Sequence, residues 1–241
     1  MERTMTRRDV LAAAGALAAG SAATAATPGK TPDRADPKAG IKVLGISCSP
    51  RKGKTTAQAV SIALEAAAEA QPLVETELID LGGLQIGGWI GGARPGQGEV
   101  PVDDFQKVLP KLQDPAVGGL IIGSPVYFRS MSALCKAFLE QCAVLRKPKL
   151  LLADKPVGVL AVGAYRNGGQ ELVIEQVQAV LLCHEVMIVG GKPRAHQGAT
   201  LWNVGAGDYI TKDAFGVDTA KLLGRRVADA AIKLAGYEDI G

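Results

Sequence analysis

The chain has 241 residues, of which 47% are hydrophobic, 21% charged and only 4% aromatic, and its formal net charge is +3. So small a charge excludes a strongly basic nucleic-acid-binding surface and an acidic tail, and so few aromatic side chains provide no platform for stacking many bases. The length suits one substantial α/β core, and 30 glycines suit tight turns between strands and helices.

The first 25 residues have the pattern of an export signal. Arg7 and Arg8 stand before an uncharged run of small residues that ends at an A-x-A site. The paired arginines resemble a twin-arginine signal, which predicts export to the periplasm or another extracytoplasmic space. The run is too short and too weakly apolar for a stable membrane span. An ordinary N-terminal helix in a cytoplasmic protein is the alternative interpretation.

Residues 26–40 are rich in proline and charge and are predicted to be a linker, so 41–241 form the folded domain. Short apolar runs there alternate with helical patterns, with strands predicted at 41–47, 74–81, 117–125, 156–164 and 185–191, and helices at 55–70, 103–113, 132–145, 170–182 and 218–236. This alternation indicates an α/β fold with a doubly wound, five-stranded parallel sheet and helices on both faces. Ligands of such sheets bind at the carboxyl ends of the strands, near the point where strand order reverses.

The loop after the first strand, within "GISCSPRKGKTT", is the clearest candidate for binding a phosphate. Its backbone amides and the following helix N-terminus favour an anion, and it offers hydroxyl and cationic side chains. A nucleoside-triphosphate loop of the form G-x-x-x-x-G-K-[ST] would need glycine where the chain has Cys48. Such an NTPase would also need an acidic residue at the end of a later strand to organise magnesium, and the third, fourth and fifth predicted strands end without one.

Two further strand ends can flank a flat ring. "SPVYFRSM" places aromatic and apolar side chains after the third strand, and "GAYRNGG" has paired glycines that let the backbone approach a ring closely. One phosphate site with two such loops predicts a mononucleotide that carries a large heterocycle, as in a flavin. Plain core packing is the alternative for Tyr127 and Phe128.

These three motifs, in register over residues 41–190, resemble the flavodoxin-like NAD(P)H-dependent FMN reductases, and most closely their iron–sulfur flavoprotein branch. The resemblance implies that Ser49, Arg51, Lys54, Thr55 and Thr56 bind the FMN phosphate. It also implies that two groups of residues line the isoalloxazine ring: Pro125, Val126, Tyr127, Phe128, Ser130 and Met131 on one side, and Ala164, Tyr165, Arg166, Asn167, Gly168 and Gly169 at the other edge.

The chain departs from the iron–sulfur branch in one respect. That branch carries a compact set of cysteines between the second strand and an acidic pair that opens a helix, whereas residues 82–102 contain no cysteine. Thiolates hold such clusters, so we expect no iron–sulfur cluster and no metal. The four cysteines present lack C-x-x-C spacing and are predicted to be buried structural thiols. Trp89, in the Gly-rich segment, is predicted to cover the flavin, seal a subunit contact or anchor the loop.

Flavin chemistry needs little acid–base machinery from the protein, so no catalytic side chain is predicted. Arg166 and Asn167 are candidates for tuning the ring as donors near its polar edge. Two functions stay open: a reductase that takes hydride from NAD(P)H and passes electrons to a small acceptor such as a quinone or flavin, and an exported electron-transfer protein served by a quinol or a redox partner protein. The family resemblance further implies a homodimer or higher homo-oligomer.

Overall fold

The computed structural model describes residues 40–88 and 103–236. The predicted export signal and linker, and Trp89 with most of the Gly-rich segment, lie outside the described residues. The strands are β1 Ile41–Ser47, β2 Val74–Asp80, β3 Val117–Pro125, β4 Pro156–Gly163, β5 Met187–Ile188 and β6 Ala199–Trp202. The helices are α1 Thr55–Ala70, α2 Phe105–Leu112, α3 Ala133–Gln141, α4 Gln170–Leu181 and α5 Ala214–Ala235.

The strands form one parallel sheet in the order β2-β1-β3-β4-β5, with β6 also paired to β4. The inner strands β1, β3 and β4 are largely apolar and buried on both faces, as expected of a parallel sheet between helical layers. The predicted doubly wound architecture is therefore confirmed. Strand order reverses between β1 and β3, so a crevice opens there at the carboxyl edge.

The far edge of the sheet differs from the prediction. Instead of one strand over 185–191, only Met187–Ile188 pairs with the beginning of β4, and Ala199–Trp202 pairs with its end. Residues 189–198 form a loop between them, and the two sides of this loop lie so close that a Cβ atom on Gly190 would be 1.7 Å from the His196 carbonyl oxygen. Only glycine permits so close an approach of two backbones. The predicted strand is therefore reduced to Met187–Ile188, and β6, which lies beyond residue 191, was not predicted.

The two faces of the sheet carry different cores. Helices α2, α3 and α4 cover one face with large side chains, among which the rings of Phe105 and Phe138 lie 6.0 Å apart. Helices α1 and α5 cover the other face with mostly small and β-branched residues. They approach so closely that a Cβ atom on Gly224 would lie 1.9 Å from the Ala63 carbonyl oxygen. The helix that begins at the predicted phosphate loop is therefore fixed against α5.

The described helices include none that is both long and apolar enough to cross a bilayer.

Candidate cofactor-binding site

The phosphate loop (residues 48–54) joins β1 to α1 at the reversal of strand order. Three of the predicted phosphate ligands, Ser49, Thr55 and Thr56, are buried here. The Ser49 hydroxyl accepts a hydrogen bond from the Arg51 amide at 3.2 Å, which curls the loop around its own backbone. Gly53 adopts a positive φ of 67° at the tip, a conformation that favours glycine.

The first turn of α1 is prepared for an anion. Lys54 is the N-cap residue, and its side chain makes no capping hydrogen bond, so the unpaired amides of the first turn keep their partial positive charge. The buried Thr56 hydroxyl has no hydrogen-bond partner within the described residues. A buried hydroxyl without a partner is unfavourable unless a ligand satisfies it. These residues therefore fit a bound phosphate group.

The two predicted phosphate cations are paired with an aspartate that the sequence patterns did not single out. Arg51 Nη1 lies 2.7 Å from Asp208 Oδ1, and Lys54 Nζ lies 3.5 Å from Asp208 Oδ2. The hydrogen bond from Arg51 is the main cause that holds the pKa of Asp208 below its usual value. The structure thus brings Arg51 and Lys54 together around a carboxylate of the chain itself.

Asp80, at the carboxyl end of β2, is a second acidic residue that the sequence analysis missed. Its Oδ2 accepts a hydrogen bond from the Gly53 amide at 2.7 Å, and its Oδ1 accepts one from Gly82 at 3.1 Å. Both carboxylate oxygens therefore bind backbone amides. Asp80 shapes the phosphate loop from the neighbouring strand.

The aromatic loop (residues 126–131) follows β3 and forms a tight two-residue turn. Tyr127 and Ser130 exchange backbone hydrogen bonds of 2.9 Å in both directions. Phe128 and Arg129 occupy the turn with φ values of 50° and 63°, which is strained backbone for bulky residues. The Phe128 ring is fully exposed and Tyr127 is partly exposed. The core-packing alternative for these two aromatics is therefore wrong.

Two polar residues fix the aromatic loop in place. Gln176 Oε1, on α4, accepts hydrogen bonds from the Ser130 hydroxyl at 2.9 Å and the Met131 amide at 3.3 Å. The buried Ser132 hydroxyl donates to the Cys48 carbonyl oxygen at 2.7 Å, which joins the end of this loop to the phosphate loop. Just before the loop, Pro125 is buried at the end of β3. The Val126 amide donates a hydrogen bond to the Val162 carbonyl oxygen of β4 at 2.9 Å.

The glycine loop (residues 164–169) follows β4, and a buried side chain supports it from below. Gln170 Nε2 donates to the Tyr165 carbonyl oxygen at 2.7 Å and to the Leu201 carbonyl oxygen at 3.1 Å. Gln170 Oε1 accepts from the Gly168 amide at 2.9 Å. Ala164, Tyr165, Arg166 and Asn167 are exposed above this support, while Gly168 and Gly169 are half-buried. The backbone of the glycine loop is therefore held by Gln170, while the side chains of residues 164–167 are exposed to solvent.

The Arg166 side chain, at the exposed surface of the glycine loop, is held by other residues of the chain. Its Nη2 atom donates to Asp213 Oδ1 at 2.9 Å, and its guanidinium lies 5.5 Å from the ring centre of Trp202 and 5.7 Å from that of Phe215. Asp213 Oδ2 also accepts from the Trp202 amide at 3.0 Å. Sequence patterns gave no sign of this cluster, whose members are far apart along the chain.

The aromatic and glycine loops meet beside the start of α4. A Cβ atom on Gly169 would contact Arg129 at 3.4 Å. A cavity of about 430 Å³ at this point is lined by Arg129 of the aromatic loop, by Arg166, Asn167 and Gly169 of the glycine loop, and by Thr200. The predicted residues of the aromatic loop do not line it. The predicted site residues of the three loops thus gather along one edge of the sheet. Asn167 and Gly169 reach this cavity, whereas the five predicted phosphate ligands belong to the crevice between β1 and β3.

Three of the four cysteines are buried, as predicted, and lie in one apolar cluster: Cys48, Cys135 and Cys142. Burial is the largest cause that raises the pKa of the Cys48 thiol, and its hydrogen bond with Cys135 adds to the increase. Cys183 is exposed, so the prediction of a buried thiol is wrong there. Within 40–88 and 103–236, no group of three histidine, cysteine or acidic side chains is arranged to hold a metal ion.

Comparison with known proteins agrees with this geometry. Residues 41–199 match the family model described as NADPH-dependent FMN reductase. An iron–sulfur flavoprotein of Methanocaldococcus jannaschii is 39% identical over 192 residues, which cover 78% of this chain and 96% of the relative. An NAD(P)H dehydrogenase (quinone) of Paracoccus denitrificans is 32% identical over 130 residues, covering 48% of this chain and 62% of that protein.

Solved structures show the same fold at lower sequence similarity. The WrbA-like flavodoxin of Agrobacterium tumefaciens superposes with a TM-score of 0.52 at 17% identity, covering 81% of this chain and 98% of that one. The predicted flavodoxin-like fold is confirmed.

Proposed function

Because the chain belongs to the NADPH-dependent FMN reductase family, and is therefore a flavin-dependent oxidoreductase that binds FMN, we propose that it takes electrons from NAD(P)H and passes them to a small acceptor such as a quinone or a free flavin. The observation that carries this proposal is the crevice at the strand-order reversal. There an uncapped helix N-terminus and the unpaired, buried Thr56 hydroxyl adjoin the cations Arg51 and Lys54.

FMN supplies the redox chemistry when bound, since its ring accepts a hydride or single electrons. The residues that would hold its phosphate are Ser49, Arg51, Lys54, Thr55 and Thr56. Charge-assisted hydrogen bonds from such groups contribute about 1.5–3 kcal/mol each. The aromatic and glycine loops would flank the ring, and Gln170 and Gln176 would keep those loops in position.

The strained turn supports a role for the aromatic loop at the substrate side. Non-glycine residues at positive φ cost roughly 1–3 kcal/mol each and persist mainly where function uses them. Phe128 holds its whole ring in solvent at such a position. We propose that this ring covers the acceptor while it receives electrons. Replacing Phe128 and Arg129 by Asn and Gly should raise the free energy of unfolding by about 1–2 kcal/mol and lower turnover.

The direct test is cofactor content followed by reduction. Purified protein should be yellow, should release FMN rather than FAD, and should be bleached by NADPH or NADH without oxygen. A quinone or free flavin should then restore the colour. Colourless protein that takes up no added FMN would contradict the cofactor assignment. Yellow protein that neither nucleotide reduces would contradict only the donor. Iron and acid-labile sulfide should be absent from protein prepared anaerobically.

The signal-like N-terminus favours a second candidate function. We propose that, if the chain is exported, it serves as an electron-transfer protein reduced by a quinol or a redox partner, since nicotinamide cofactors are held in the cytoplasm. Cell fractionation and sequencing of the mature N-terminus would distinguish the candidates. Loss of about 25 residues in an extracytoplasmic fraction, blocked by changing Arg7 and Arg8 to lysine, supports export. An intact N-terminus in the cytosol supports the reductase.

We also propose a homodimer or higher homo-oligomer, which the family resemblance implies. Sedimentation of the FMN-loaded protein over a range of concentrations tests this assembly, and a single species at the monomer mass of 24.9 kDa would contradict it.

A further inference from the structure

The segment that follows β6 reaches back over the phosphate loop. We call residues 203–213 the C-terminal strap. It begins beyond residue 199, where the family match ends, so its contacts are features of this chain that the family model does not include. Gln58 on α1 holds it down, because Gln58 Nε2 donates to the Asp208 carbonyl oxygen at 3.3 Å and Gln58 Oε1 accepts from the Ile210 amide at 3.3 Å.

The carboxylate of Asp208 spans the two phosphate cations. One oxygen lies 2.7 Å from Arg51 Nη1 and the other lies 3.5 Å from Lys54 Nζ. This is how one anion bridges two cations, and it satisfies the same groups that the FMN phosphate would use. Asp208 sits at a φ of 56°, so the strap keeps this residue in the left-handed region while the pairing lasts.

The pairing is open to solvent. The side chains of Arg51, Lys54 and Asp208 are 49%, 48% and 29% exposed. Exposed ion pairs stabilise a fold weakly and exchange partners readily. The loop backbone does not depend on Asp208, because Asp80 and Ser49 already hold the amides of Gly53 and Arg51. Asp80 and Ser49, and not Asp208, therefore determine the shape of the phosphate loop.

We propose that Asp208 is a resident anion of the phosphate site, and that the FMN phosphate must displace its carboxylate from Arg51 and Lys54 in order to bind. This inference rests on the proposed function and adds a determinant of cofactor affinity and release. Two anions on the same pair of cations repel each other, so the strap carboxylate opposes the phosphate. The Asp208 carboxylate leaves the two cations when FMN binds and returns to them when FMN leaves, while the buried Ile210 and Asp213 keep the rest of the strap in place.

The test replaces Asp208→Asn, which keeps the shape of the side chain and removes its charge. The matched control is Asp218→Asn, because Asp218 pairs with Arg194 at 2.8 Å on the exposed surface of α5, away from the phosphate loop. FMN binding to each apoprotein is followed by quenching of flavin fluorescence. Binding of inorganic phosphate is followed in parallel by phosphorus NMR. Asp208→Ala serves as a second variant.

Asp208→Asn should bind FMN about two- to fivefold more tightly than the unchanged protein, with slower release, which is the range expected when one exposed competing anion is removed. Inorganic phosphate should follow the same direction, and Asp218→Asn should change neither. Weaker or unchanged binding in both Asp208 variants would overturn the proposal and make Asp208 a positioning residue or a bystander. If no variant binds FMN, the proposed function fails, and the phosphate titration still decides the role of Asp208.

Discussion

Two arginines, one on the phosphate loop and one on the glycine loop, are each paired with an aspartate from the C-terminal part of the chain, yet the two pairs differ in burial and in the number of their partners. Arg51 meets Asp208 in solvent, with the carboxylate 29% exposed. Arg166 meets Asp213, whose side chain is 1% exposed. Asp213 also caps α5 by accepting from the Gly216 amide at 3.1 Å, whereas Asp208 is held mainly through its side-chain cations and its carbonyl oxygen.

This difference separates a structural carboxylate, Asp213, from Asp208, whose carboxylate can be replaced by a ligand. A buried carboxylate with several donors cannot leave without exposing unpaired amides, so Asp213 fixes Arg166 and the start of α5 permanently. An exposed carboxylate loses little when water or a ligand replaces it. We infer that the glycine-loop arginine is part of the scaffold and the phosphate-loop arginine is part of the ligand site, although sequence reasoning treated both as cofactor contacts.

The largest expected difference between the two arginine–aspartate pairs is in their contribution to the free energy of unfolding. Asp213→Asn should lower the free energy of unfolding by about 2–4 kcal/mol, because the amide keeps only one acceptor oxygen, places an NH2 group against the Trp202 amide and removes the charge that faces Arg166. Urea unfolding followed by circular dichroism measures the change. Asp208→Asn is the control and should leave the unfolding midpoint unaltered. Equal losses in the two variants would remove the distinction between the pairs.

A smaller, reciprocal effect is expected from the arginines. Arg51→Met should weaken FMN binding about tenfold without changing the unfolding midpoint. Arg166→Met should lower the free energy of unfolding by about 1–2 kcal/mol, through the lost pair with Asp213 and the lost contacts with the Trp202 and Phe215 rings. FMN titration and urea unfolding on both variants separate the two roles. A large loss of FMN affinity with unchanged stability in Arg166→Met would instead place Arg166 at the cofactor.

The smallest expected effect is in the acid titration of Asp208. Arg51 lowers the pKa of this carboxyl in the folded chain, so the pair contributes its stabilisation above the unfolded pKa and loses it as pH falls through the folded pKa. Arg51→Met should therefore raise the Asp208 pKa back towards 3.8, as measured by carbon NMR of the carboxyl group in the FMN-free protein. The pKa of Asp114, which is lowered mainly by its hydrogen bond with Lys42, should not move. An unchanged Asp208 pKa would show that the pair does not persist in solution.

Much of the fold follows from local sequence patterns. The bounds of β1, α1 and β3 were predicted to the residue, because each is an apolar run or helical pattern with a clear change of composition at its ends. The edge strand was predicted wrongly, because residues 186–191 carry no polar side chain that would mark a break, and the interruption depends on a close backbone contact between Gly190 and His196. Helix α5 begins at Ala214 rather than 218 because Asp213 caps it.

Only the part of the site that lies directly at the carboxyl ends of the strands was predictable from the sequence. The positions of the three loops follow from the topology of a parallel sheet, so their residues could be named in advance. The aspartates that pair with Arg51 and Arg166 lie 157 and 47 residues away in sequence, and no periodicity links such distant positions. The exposure of Phe128 was also hidden, since an aromatic residue after a buried strand has the same composition whether it packs or protrudes.

The split edge of the sheet has a consequence for the behaviour of the protein at high concentration. An uninterrupted edge strand offers a row of free amides and carbonyls onto which a second chain can add as a further strand. Here β5 has two residues and β6 has four, and the loop that contains Gly190 separates them. Each of these two strands is too short to template a long intermolecular ladder, so the interruption protects this edge of the sheet against strand addition, whereas the opposite edge is the seven-residue strand β2.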